Sequence, residues 1–363
     1  MRSPDQTPLS LFPIHALWTL ALNQRLTVPP AYVGSHVYFA TERDQLVAYD
    51  LGNGAREWIV SAKPRLELAA GEGLLFIAEP GLLRALRTAD GSAAWELQVA
   101  EELAAPPVWD NGWLVLATRE GGILAYRASD GHLVWRRDLE SRAHAQVSLA
   151  ADRVYVPLED GRVVGLQVET GALVWERRLG GPATGLLALD DRIYAGSSDH
   201  YFYSLDARDG KVDWRWRTGA DLIGVPVVDE RNVYFVSLDN VLRALGRKSG
   251  VQQWFRLLPL RPTRGPLKAG TSLVVSGIAA TLRAYNIKDG TPAGDMPGDG
   301  ELAGAPYAVP GSSLPQLLVV RRDIAEGASA TLMARQIEPS IAPLGTLPNT
   351  IKLAPLPPTE SQR

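Results

Sequence analysis

The stretch that decides the fold reads Leu166-Gln-Val-Glu-Thr-Gly-Ala-Leu-Val-Trp175. An apolar run ends in Glu169-Thr170-Gly171, three residues intervene, and Trp175 opens a second strand-like segment. This segment is one copy of a repeat, because a glycine followed four residues later by a tryptophan recurs along the chain. The copies are Gly54/Trp58, Gly91/Trp95, Gly131/Trp135, Gly171/Trp175, Gly210/Trp214 and Gly250/Trp254.

The repeat has a nearly constant period. Consecutive tryptophans of these copies are separated by 37, 40, 40, 39 and 40 residues. Trp18 stands one period before Trp58, and Gly290 stands one period after Gly250, with Gly294 in the position of the last tryptophan. Since self-similarity at a fixed period near 40 residues marks a repeat architecture, the chain is predicted to contain eight units.

Each unit contains four short segments with the character of β-strands. Segments such as 37–40 and 233–236 are rich in β-branched and aromatic residues and are bounded by turn residues. No amphipathic helical pattern competes with them. Four strands in a unit of about 40 residues, repeated eight times, predict an all-β fold, an eight-bladed β-propeller of four-stranded antiparallel blades.

The two ends of the chain predict how the ring closes. After the Gly290 copy, three strand-like segments follow at 303–309, 316–320 and 330–335, whereas Trp18 lies in a single strand without three predecessors. We therefore expect the N-terminal strand to join the three C-terminal strands and complete the last blade, which removes an exposed sheet edge.

The predicted organisation is one domain with two flanking segments. Residues 1–11 form an N-terminal extension, residues 12–337 form the propeller, and residues 338–363 form a proline-rich tail that we expect to be disordered. The prolines of the tail are Pro339, Pro343, Pro348, Pro355, Pro357 and Pro358.

The composition narrows the function classes. The net charge of −3 argues against nucleic acid binding. The absence of cysteine excludes disulfides, thiolate metal sites, a cysteine nucleophile and a lipidation thiol in this sequence. The apolar segment 9–22 is interrupted by Pro13 and His15 and lacks a small-x-small cleavage site after it, which favours structure over a signal peptide. No stretch reaches the roughly 20 apolar residues of a membrane span.

The recurring motif is predicted to be structural. Glycine supplies the positive φ of a tight turn, Asp or Thr before it can bond to the turn's own amides, and the tryptophan packs on the neighbouring blade with its N–H bonded to a backbone carbonyl. The predicted docking residues are Trp18, Gly54, Trp58, Gly91, Trp95, Gly131, Trp135, Gly171, Trp175, Gly210, Trp214, Gly250 and Trp254.

The motif resembles the tryptophan-docking motif of PQQ-like, quinoprotein-type propellers. It is seen in Leu205-Asp-Ala-Arg-Asp-Gly-Lys-Val-Asp-Trp214 and in Tyr49-Asp-Leu-Gly-Asn-Gly-Ala-Arg-Glu-Trp58. The resemblance covers about residues 12 to 337. It is specific for the fold and much less specific for function, because one fold serves many tasks.

Two branches of that family imply different functions. The resemblance to quinoprotein dehydrogenases implies pyrroloquinoline quinone and calcium over the central channel, but those enzymes carry a vicinal cysteine pair and an acidic and amide ligand cluster that this sequence lacks. In length and blade number the chain is more similar to the BamB branch, lipoproteins that bind the barrel-inserting component of outer-membrane assembly. The missing lipidation cysteine departs from that branch.

Motifs for other chemistry are absent. The sequence has no Gly-x-Ser-x-Gly, His-Glu-x-x-His, Gly-x-x-x-x-Gly-Lys or calcium loop, and Gly52-Asn53-Gly54 opens no helix. The histidines lie without ligand spacing, so we predict no catalytic, cofactor or metal residue. They are His15, His36, His132, His144 and His200.

One set of charged positions could form a binding site. Strand order places the links between blades and the tips between second and third strands at one end, opposite the docking turns. Seven residues after each tryptophan position lie Arg25, Arg65, Glu102, Arg142, Pro182, Asp221, Arg261 and Glu301. If these side chains converge at the mouth of the central channel, they could bind an extended strand, a peptide or an anion. The alternative is that they are charges of surface loops that water solvates. The tips carry Asp44, Asp160, Asp199, His200, Asp239 and Arg321, which turn propensity alone can explain.

The favoured hypothesis is a non-enzymatic, protein-binding scaffold of the bacterial cell envelope, monomeric within a complex, with an outer-membrane assembly component as a partner and no cofactor. The periplasm is the expected location, and the cytoplasm is an alternative. The first alternative function is a quinone-dependent dehydrogenase with calcium, and the second is a sensory or ligand-recognition propeller.

Overall fold

The computed structural model describes residues 9–278, 280–312, 314–323 and 327–336. The described part of the chain is built from β-strands joined by turns and contains no α-helix. Accordingly, it offers no helix with the length and apolarity needed to cross a bilayer. The first strand of the described chain is β1 (Ile14–Ala21). The other strands form seven complete blades and most of an eighth.

In the first four blades the strands follow one another in chain order and pair antiparallel. Their bounds are β2 (Ala31–Val33), β3 (His36–Thr41), β4 (Gln45–Asp50) and β5 (Arg56–Ser61) in blade 1; β6 (Ala69–Gly71), β7 (Leu74–Glu79), β8 (Leu82–Arg87) and β9 (Ala93–Gln98) in blade 2; β10 (Val108–Asp110), β11 (Trp113–Ala117), β12 (Gly122–Arg127) and β13 (Leu133–Asp138) in blade 3; and β14 (Ser148–Ala150), β15 (Arg153–Pro157), β16 (Arg162–Gln167) and β17 (Leu173–Arg178) in blade 4.

Blades 5 to 7 repeat this order, and blade 8 is completed by β1. The bounds are β18 (Ala183–Leu189), β19 (Arg192–Ser197), β20 (Tyr201–Asp206) and β21 (Val212–Arg217) in blade 5; β22 (Leu222–Val228), β23 (Asn232–Ser237), β24 (Val241–Gly246) and β25 (Gln252–Leu257) in blade 6; β26 (Leu267–Ala269), β27 (Ser272–Val275), β28 (Leu282–Asn286) and β29 (Pro292–Met296) in blade 7; and β30 (Glu301–Leu302), β31 (Tyr307–Ala308), β32 (Gln316–Asp323) and β33 (Gly327–Arg335) in blade 8.

The blades stand around a common axis with their first strands innermost. The first strands of neighbouring blades contact one another, as β2 does with β6 and β18 does with β22. The second and third strands are mostly buried, whereas the fourth strands are mostly exposed or half-buried. The core therefore lies between the blades, and the fourth strands form the outer wall. The fold is the predicted eight-bladed β-propeller.

We call the end with the turns between third and fourth strands the docking face. In seven successive blade pairs, a tryptophan N–H donates to a backbone carbonyl 30 to 33 residues later, in the next blade. The bonds are 2.6 to 3.3 Å long and join Trp18 to Leu51, Trp58 to Thr88, Trp95 to Ala128, Trp135 to Val168, Trp175 to Ala207, Trp214 to Arg247 and Trp254 to Ile287.

Each of these indoles lies on the glycine of the next docking turn. At Gly171, for example, φ is +67° and an added Cβ would lie 2.6 Å from Trp135 Cε3. A side chain there would be strained and would clash, which explains why glycine recurs. The turn is further fixed by Asp209, whose carboxylate accepts the Lys211 N–H, and by equivalent bonds at other blades. Burying one indole contributes on the order of 4 to 6 kcal/mol as an upper bound.

The ring closes as predicted, between the two ends of the described chain. β1 pairs antiparallel with β33, and Trp18 on β1 docks on blade 1 through the carbonyl of Leu51. We call this contact between blades 8 and 1 the closing seam, and the equivalent tryptophan–glycine contacts between the other blades the inner seams. The closing seam is looser, because a Cβ on Gly54 would lie 3.5 Å from Trp18 Cδ2, compared with 2.5 to 2.8 Å at the inner seams.

Blade 7 lacks its own docking tryptophan and receives an aromatic ring from elsewhere. Gly294 stands in the tryptophan position, and a Cβ on it would meet Phe12 Cδ1 at 2.3 Å. The neighbouring Leu11 is fully buried, and the carbonyl of Leu9 accepts the Thr271 N–H. Residues before the predicted start of the propeller thus already contact blade 7.

Blade 8 differs from prediction at its innermost strand. A single strand was expected over 303–309, but the structure has the short β30 and β31 with a break between them, and both pair with β32. Pro306 lies in the break and has no N–H to donate, and Gly304 is packed tightly against Pro30. The proline-rich tail falls outside the described residues, so the prediction of disorder stays a prediction.

Candidate partner-binding face

We call the opposite end, with the tips between second and third strands and the links between blades, the tip face. The positions seven residues after the tryptophans lie there. The carbonyl oxygens of Arg25, Glu102, Arg142, Pro182, Asp221 and Arg261 each accept an N–H from the tip of their own blade, at 2.8 to 3.1 Å. Arg65 instead donates its own N–H to the Ala78 carbonyl, and Glu301 pairs with Arg322 in the sheet.

The charges at these positions do not form one continuous ring. Arg142 makes two hydrogen bonds to Glu159, of 2.8 and 2.9 Å, and Glu102 lies 3.2 Å from Arg119. In both pairs the partner is a tip residue of the same blade, 17 positions later. The bonds from Arg142 lower the pKa of the Glu159 carboxyl. These two positions are therefore already compensated within their own blades.

Asp221 has a different partner, because it lies between two blades. His200, at the tip of blade 5, places Nδ1 2.9 Å from Asp221 Oδ1, so a protonated imidazole would form an ion pair there. His200 holds a left-handed backbone conformation with φ of 66°, and its carbonyl accepts the Thr218 N–H. By contrast, Arg25, Arg65, Arg261 and Glu301 are exposed and form no side-chain ion pair among the described residues.

Arg65 lines a pocket between blades 2 and 3, which we call the blade 2–3 pocket. Its volume is about 480 Å³, within the range of small-ligand and side-chain sites. The floor is apolar and is formed by Leu66, Leu83, Val99, Leu103 and Leu116. The rim carries Arg65, Glu79, Glu101, Glu102 and Arg119. An apolar side chain could enter it while a charged neighbour meets the rim.

Most rim charges of the blade 2–3 pocket already have partners. Glu79 is almost buried and lies 3.4 Å from Arg84, and Glu101 binds Arg136 of blade 3. Glu102 binds Arg119 as described above. Arg65 is thus the rim side chain that can meet an incoming carboxylate or carbonyl without first breaking an ion pair.

A second cavity, of about 690 Å³, lies where blades 7, 8 and 1 meet. Its described lining includes Arg25, Glu301 and Ile278, and Ile278 is 70% exposed. Beside it, Arg321 donates to the Ala280 carbonyl at 2.6 Å. Burial lowers the pKa of Arg321, and the bond to the Ala280 carbonyl holds its guanidinium in place.

The aspartates of the tips are also engaged locally. Asp44 lies 2.9 Å from Lys63, and Asp160 binds Arg162 at 2.7 Å. Tyr203 donates its hydroxyl to Asp199 at 2.5 Å. Asp239 binds Arg243 at 2.6 Å. Burial works to raise the pKa of Asp239, but hydrogen bonds from Arg243 and Ser237 outweigh it and leave the pKa below its ordinary value. These contacts support the interpretation that the tip aspartates serve turn structure.

Sequence reasoning placed Arg65 and Glu102 on the same face but did not find the pocket between them. The pocket is made by apolar residues of four separate segments, which no linear motif records. One signal was present, since the spacing between Trp58 and Trp95 is 37 residues whereas the others are 39 or 40. The short blade 2 has the brief tip Glu79-Pro80-Gly81 beside the pocket.

The fold and this face define a class: an eight-bladed, quinoprotein-type propeller with a repetitive docking face and a variable tip face. The family model described as outer membrane protein assembly factor BamB matches residues 15–102, 79–189 and 180–297. These matches cover well over half of the chain, so it belongs to the BamB family.

Individual relatives are more distant. Outer membrane protein assembly factor BamB of Nitrosomonas eutropha is 32% identical over 114 residues, which are 30% of this chain and 28% of that protein. The chain is therefore matched to less than a third of this curated relative's length.

Solved structures share the fold over most of the chain. BamB from Moraxella catarrhalis superposes with a TM-score of 0.72 at 20% identity, covering 88% of this chain and 99% of that one. Quinohemoprotein alcohol dehydrogenase from Comamonas testosteroni gives 0.70 at 14% identity, covering 90% and 77%. Europium-containing methanol dehydrogenase gives 0.70 at 13% identity, covering 88% and 93%. At these identities the likeness concerns the fold alone.

Proposed function

We propose that this chain is a non-catalytic, protein-binding scaffold of the bacterial cell envelope that acts in outer-membrane protein assembly or a related complex. Family membership supports the setting, and the blade 2–3 pocket is the observation that carries the binding role. We infer that the chain uses no cofactor and contributes one propeller to a larger assembly. The partner is a protein segment in extended conformation.

The chemistry of the tip face supports a peptide partner. The pocket floor offers five apolar side chains, and Arg65 on the rim is exposed and free of an ion pair among the described residues. An extended segment presents alternate side chains to one side. One apolar side chain can fill the pocket while a neighbouring acidic side chain or main-chain carbonyl meets Arg65.

The shifted pKa values agree with a structural use of the titratable groups. Those shifts fall on carboxylates that accept bonds from arginine or backbone N–H groups, as at Asp206, and on tyrosines buried between blades, as at Tyr155. Such groups are held in fixed structural contacts, as Asp206 is by Arg208 and Tyr155 by the Ala207 carbonyl. They favour a scaffold over a catalytic centre.

The test is crosslinking in the native envelope followed by mass spectrometry. A photo-reactive residue at Leu103, in the blade 2–3 pocket, is expected to capture a protein, and Arg65→Glu is expected to reduce capture at least about tenfold, since it removes a charge-assisted contact. Arg142→Glu should have a smaller effect, because Arg142 is already bound to Glu159. Neither variant should lower the melting temperature.

Lys288→Glu is the matched control, because Lys288 is exposed on the docking face. Unchanged capture by Arg65→Glu would remove the blade 2–3 pocket from the proposal. Capture that depends on Lys288 instead would place the partner on the docking face. Quinone absorbance after reconstitution with pyrroloquinoline quinone and calcium would favour a dehydrogenase, and saturable binding of a small molecule in the pocket would favour a ligand-recognition propeller.

A further inference from the structure

Three side chains from different strands of blade 1 meet near the docking face. His36 begins β3, Asp50 ends β4 opposite it in register, and Glu57 lies at the bulge where β5 shifts register against β4. One ligand atom from each lies within 4.8 Å of the others. His36 Nε2 is 3.3 Å from Glu57 Oε1. Linear spacing could not reveal this group, because the register of three strands creates it.

The same three positions in the other blades show what is unusual about this group. Blades 1 to 7 of the described chain can be compared at the positions of Asp50 and Glu57. Among them, only blades 1 and 5 have a carboxylate at both positions. In blade 5 these are Asp206 and Asp213, and the residue in the position of His36 is Arg192. The other blades have Leu74, Trp113, Arg153, Asn232 and Ser272 in that position.

In blade 5 the protein supplies its own cation. Arg192 binds Asp213 through its guanidinium, and Arg208 binds Asp206 at 2.7 Å. The hydrogen bond from Arg208, together with the charge of Arg192, lowers the pKa of Asp206 to about 2. In blade 1 an imidazole replaces the guanidinium, and no lysine or arginine of the described chain forms an ion pair with Asp50 or Glu57. Two carboxylates therefore converge without a permanent positive charge.

A buried hydroxyl beside the group also lacks a partner. Tyr38 lies two residues after His36 on the same side of β3, and its side chain is fully buried. Equivalent tyrosines all have partners: Tyr155 donates to the Ala207 carbonyl, Tyr194 accepts from Arg247, and Tyr234 donates to Asp229. The Tyr38 hydroxyl makes no hydrogen bond of normal geometry within the described chain.

The environment of that hydroxyl links it to the group. Tyr38 follows His36 by two residues on β3, and the centroid of its ring lies 5.6 Å from that of Trp58, the residue next to Glu57. A neutral phenol can donate to a carboxylate or to a water molecule that is bound next to it, as groups around metal ligands commonly do.

We propose that His36, Asp50 and Glu57 bind one divalent transition metal ion of the Zn²⁺ type, with the Tyr38 hydroxyl as a supporting hydrogen-bond donor. An imidazole favours such ions over Ca²⁺ and Mg²⁺, which take oxygen ligands. Ligands of a tetrahedral zinc lie roughly 3.3 Å apart, since the bonds are about 2.0 Å long. The His36 and Glu57 donor atoms already have that separation. The partial exposure of His36 and Glu57, 35% and 32%, gives the ion access from solvent.

This site is separate from the tip face and does not depend on the proposed function. The experiment uses the full chain without a histidine tag, freed of metal with EDTA and titrated calorimetrically with Zn²⁺ and, separately, with Ca²⁺. We expect one Zn²⁺ per chain, a higher melting temperature with Zn²⁺, and no heat with Ca²⁺.

The repeat offers a matched variant that should fold. His36→Arg copies blade 5, so it should keep or raise the melting temperature while weakening Zn²⁺ binding at least about 100-fold. Tyr38→Phe should weaken binding about tenfold without abolishing it. His132→Arg, at an exposed docking-turn histidine outside the group, should bind as the wild type does. Absence of saturable Zn²⁺ binding to the wild type, or equal binding to His36→Arg, would overturn the proposal.

Discussion

On the docking face the indole N–H of each of the seven docking tryptophans reaches a carbonyl of the next blade at 2.6 to 3.3 Å, whereas on the tip face the side chains seven positions later have different surroundings in almost every blade. Arg142 binds an acid of its own blade, Asp221 meets a histidine of the preceding blade, and Arg65 borders a pocket. One set of repeats therefore gives a uniform end and a variable end. The uniform end joins the blades, and the variable end is free to acquire specificity.

The largest expected effect comes from removing one repeated contact. Trp175→Ala should lower the free energy of unfolding by about 3 to 5 kcal/mol, because the indole is 8% exposed, lies on Gly210 and donates to the Ala207 carbonyl. Urea unfolding followed by circular dichroism measures the loss. Val174→Ala, next to it and 39% exposed, should change the midpoint little. Equal losses for the two variants would contradict the docking role.

A smaller effect on the free energy of unfolding is expected to distinguish the inner seams from the closing seam. Gly171→Ala and Gly54→Ala introduce the same backbone strain, since φ is +67° and +69°, but the new Cβ meets tryptophan at 2.6 Å in the first and at 3.5 Å in the second. Gly54→Ala should cost about 1 kcal/mol for strain alone. Gly171→Ala should cost about 1 to 3 kcal/mol more through overpacking. Thermal unfolding of both variants gives the difference, and a larger cost at Gly54 would show that the closing seam is not the looser one.

The smallest expected effect is the loss of stability when one carboxylate is removed on each face, and near the docking face this loss depends on pH. The pKa of Asp206 near the docking face is lowered to about 2, chiefly by the hydrogen bond from Arg208. A depressed folded-state pKa stabilises the protein above the unfolded value, near 4, and the contribution is lost as pH falls towards 2. Asp206→Asn should therefore lower stability by about 1 kcal/mol at pH 7, less as pH falls to 3, and not at pH 2.

Glu159→Gln on the tip face is the counterpart. Its carboxylate and the Arg142 guanidinium are both about half exposed, so the midpoint of urea unfolding should stay within error of the wild type at pH 7. A loss at Glu159 larger than that at Asp206 would reverse the comparison between the two faces.

The uniform end could be predicted from the sequence because its residues recur at a fixed spacing. The turn glycines and tryptophans gave the number of blades, and Trp18 in register gave the strand that completes blade 8. Phe12 was missed as the substitute for the absent tryptophan opposite Gly294, because it lies outside the register and reaches the site only through the folded N-terminal segment.

The sequence was sufficient to predict which residues lie at the variable end, but not their side-chain contacts. The partners of Arg142 and Glu102 depend on which tip residue each blade carries, and the floor of the blade 2–3 pocket depends on packing between blades. Likewise, His36, Asp50 and Glu57 are brought together by strand register and one bulge. Such contacts are specific to single blades, so no repetition reveals them.

The pairing of β1 with β33 also sets an order of events during folding. Thr19 and Thr331, whose hydroxyl oxygens are 3.1 Å apart, are separated by 312 positions in the chain. At synthesis rates of roughly 5 to 20 residues per second, β1 waits about 15 to 60 s for its partner strand to be made. Blades 1 to 7 can pair their strands locally in that time, but the ring has an open side until the last strand arrives. Among the described strands, β1 therefore waits longest in the newly made chain for the strand with which it pairs.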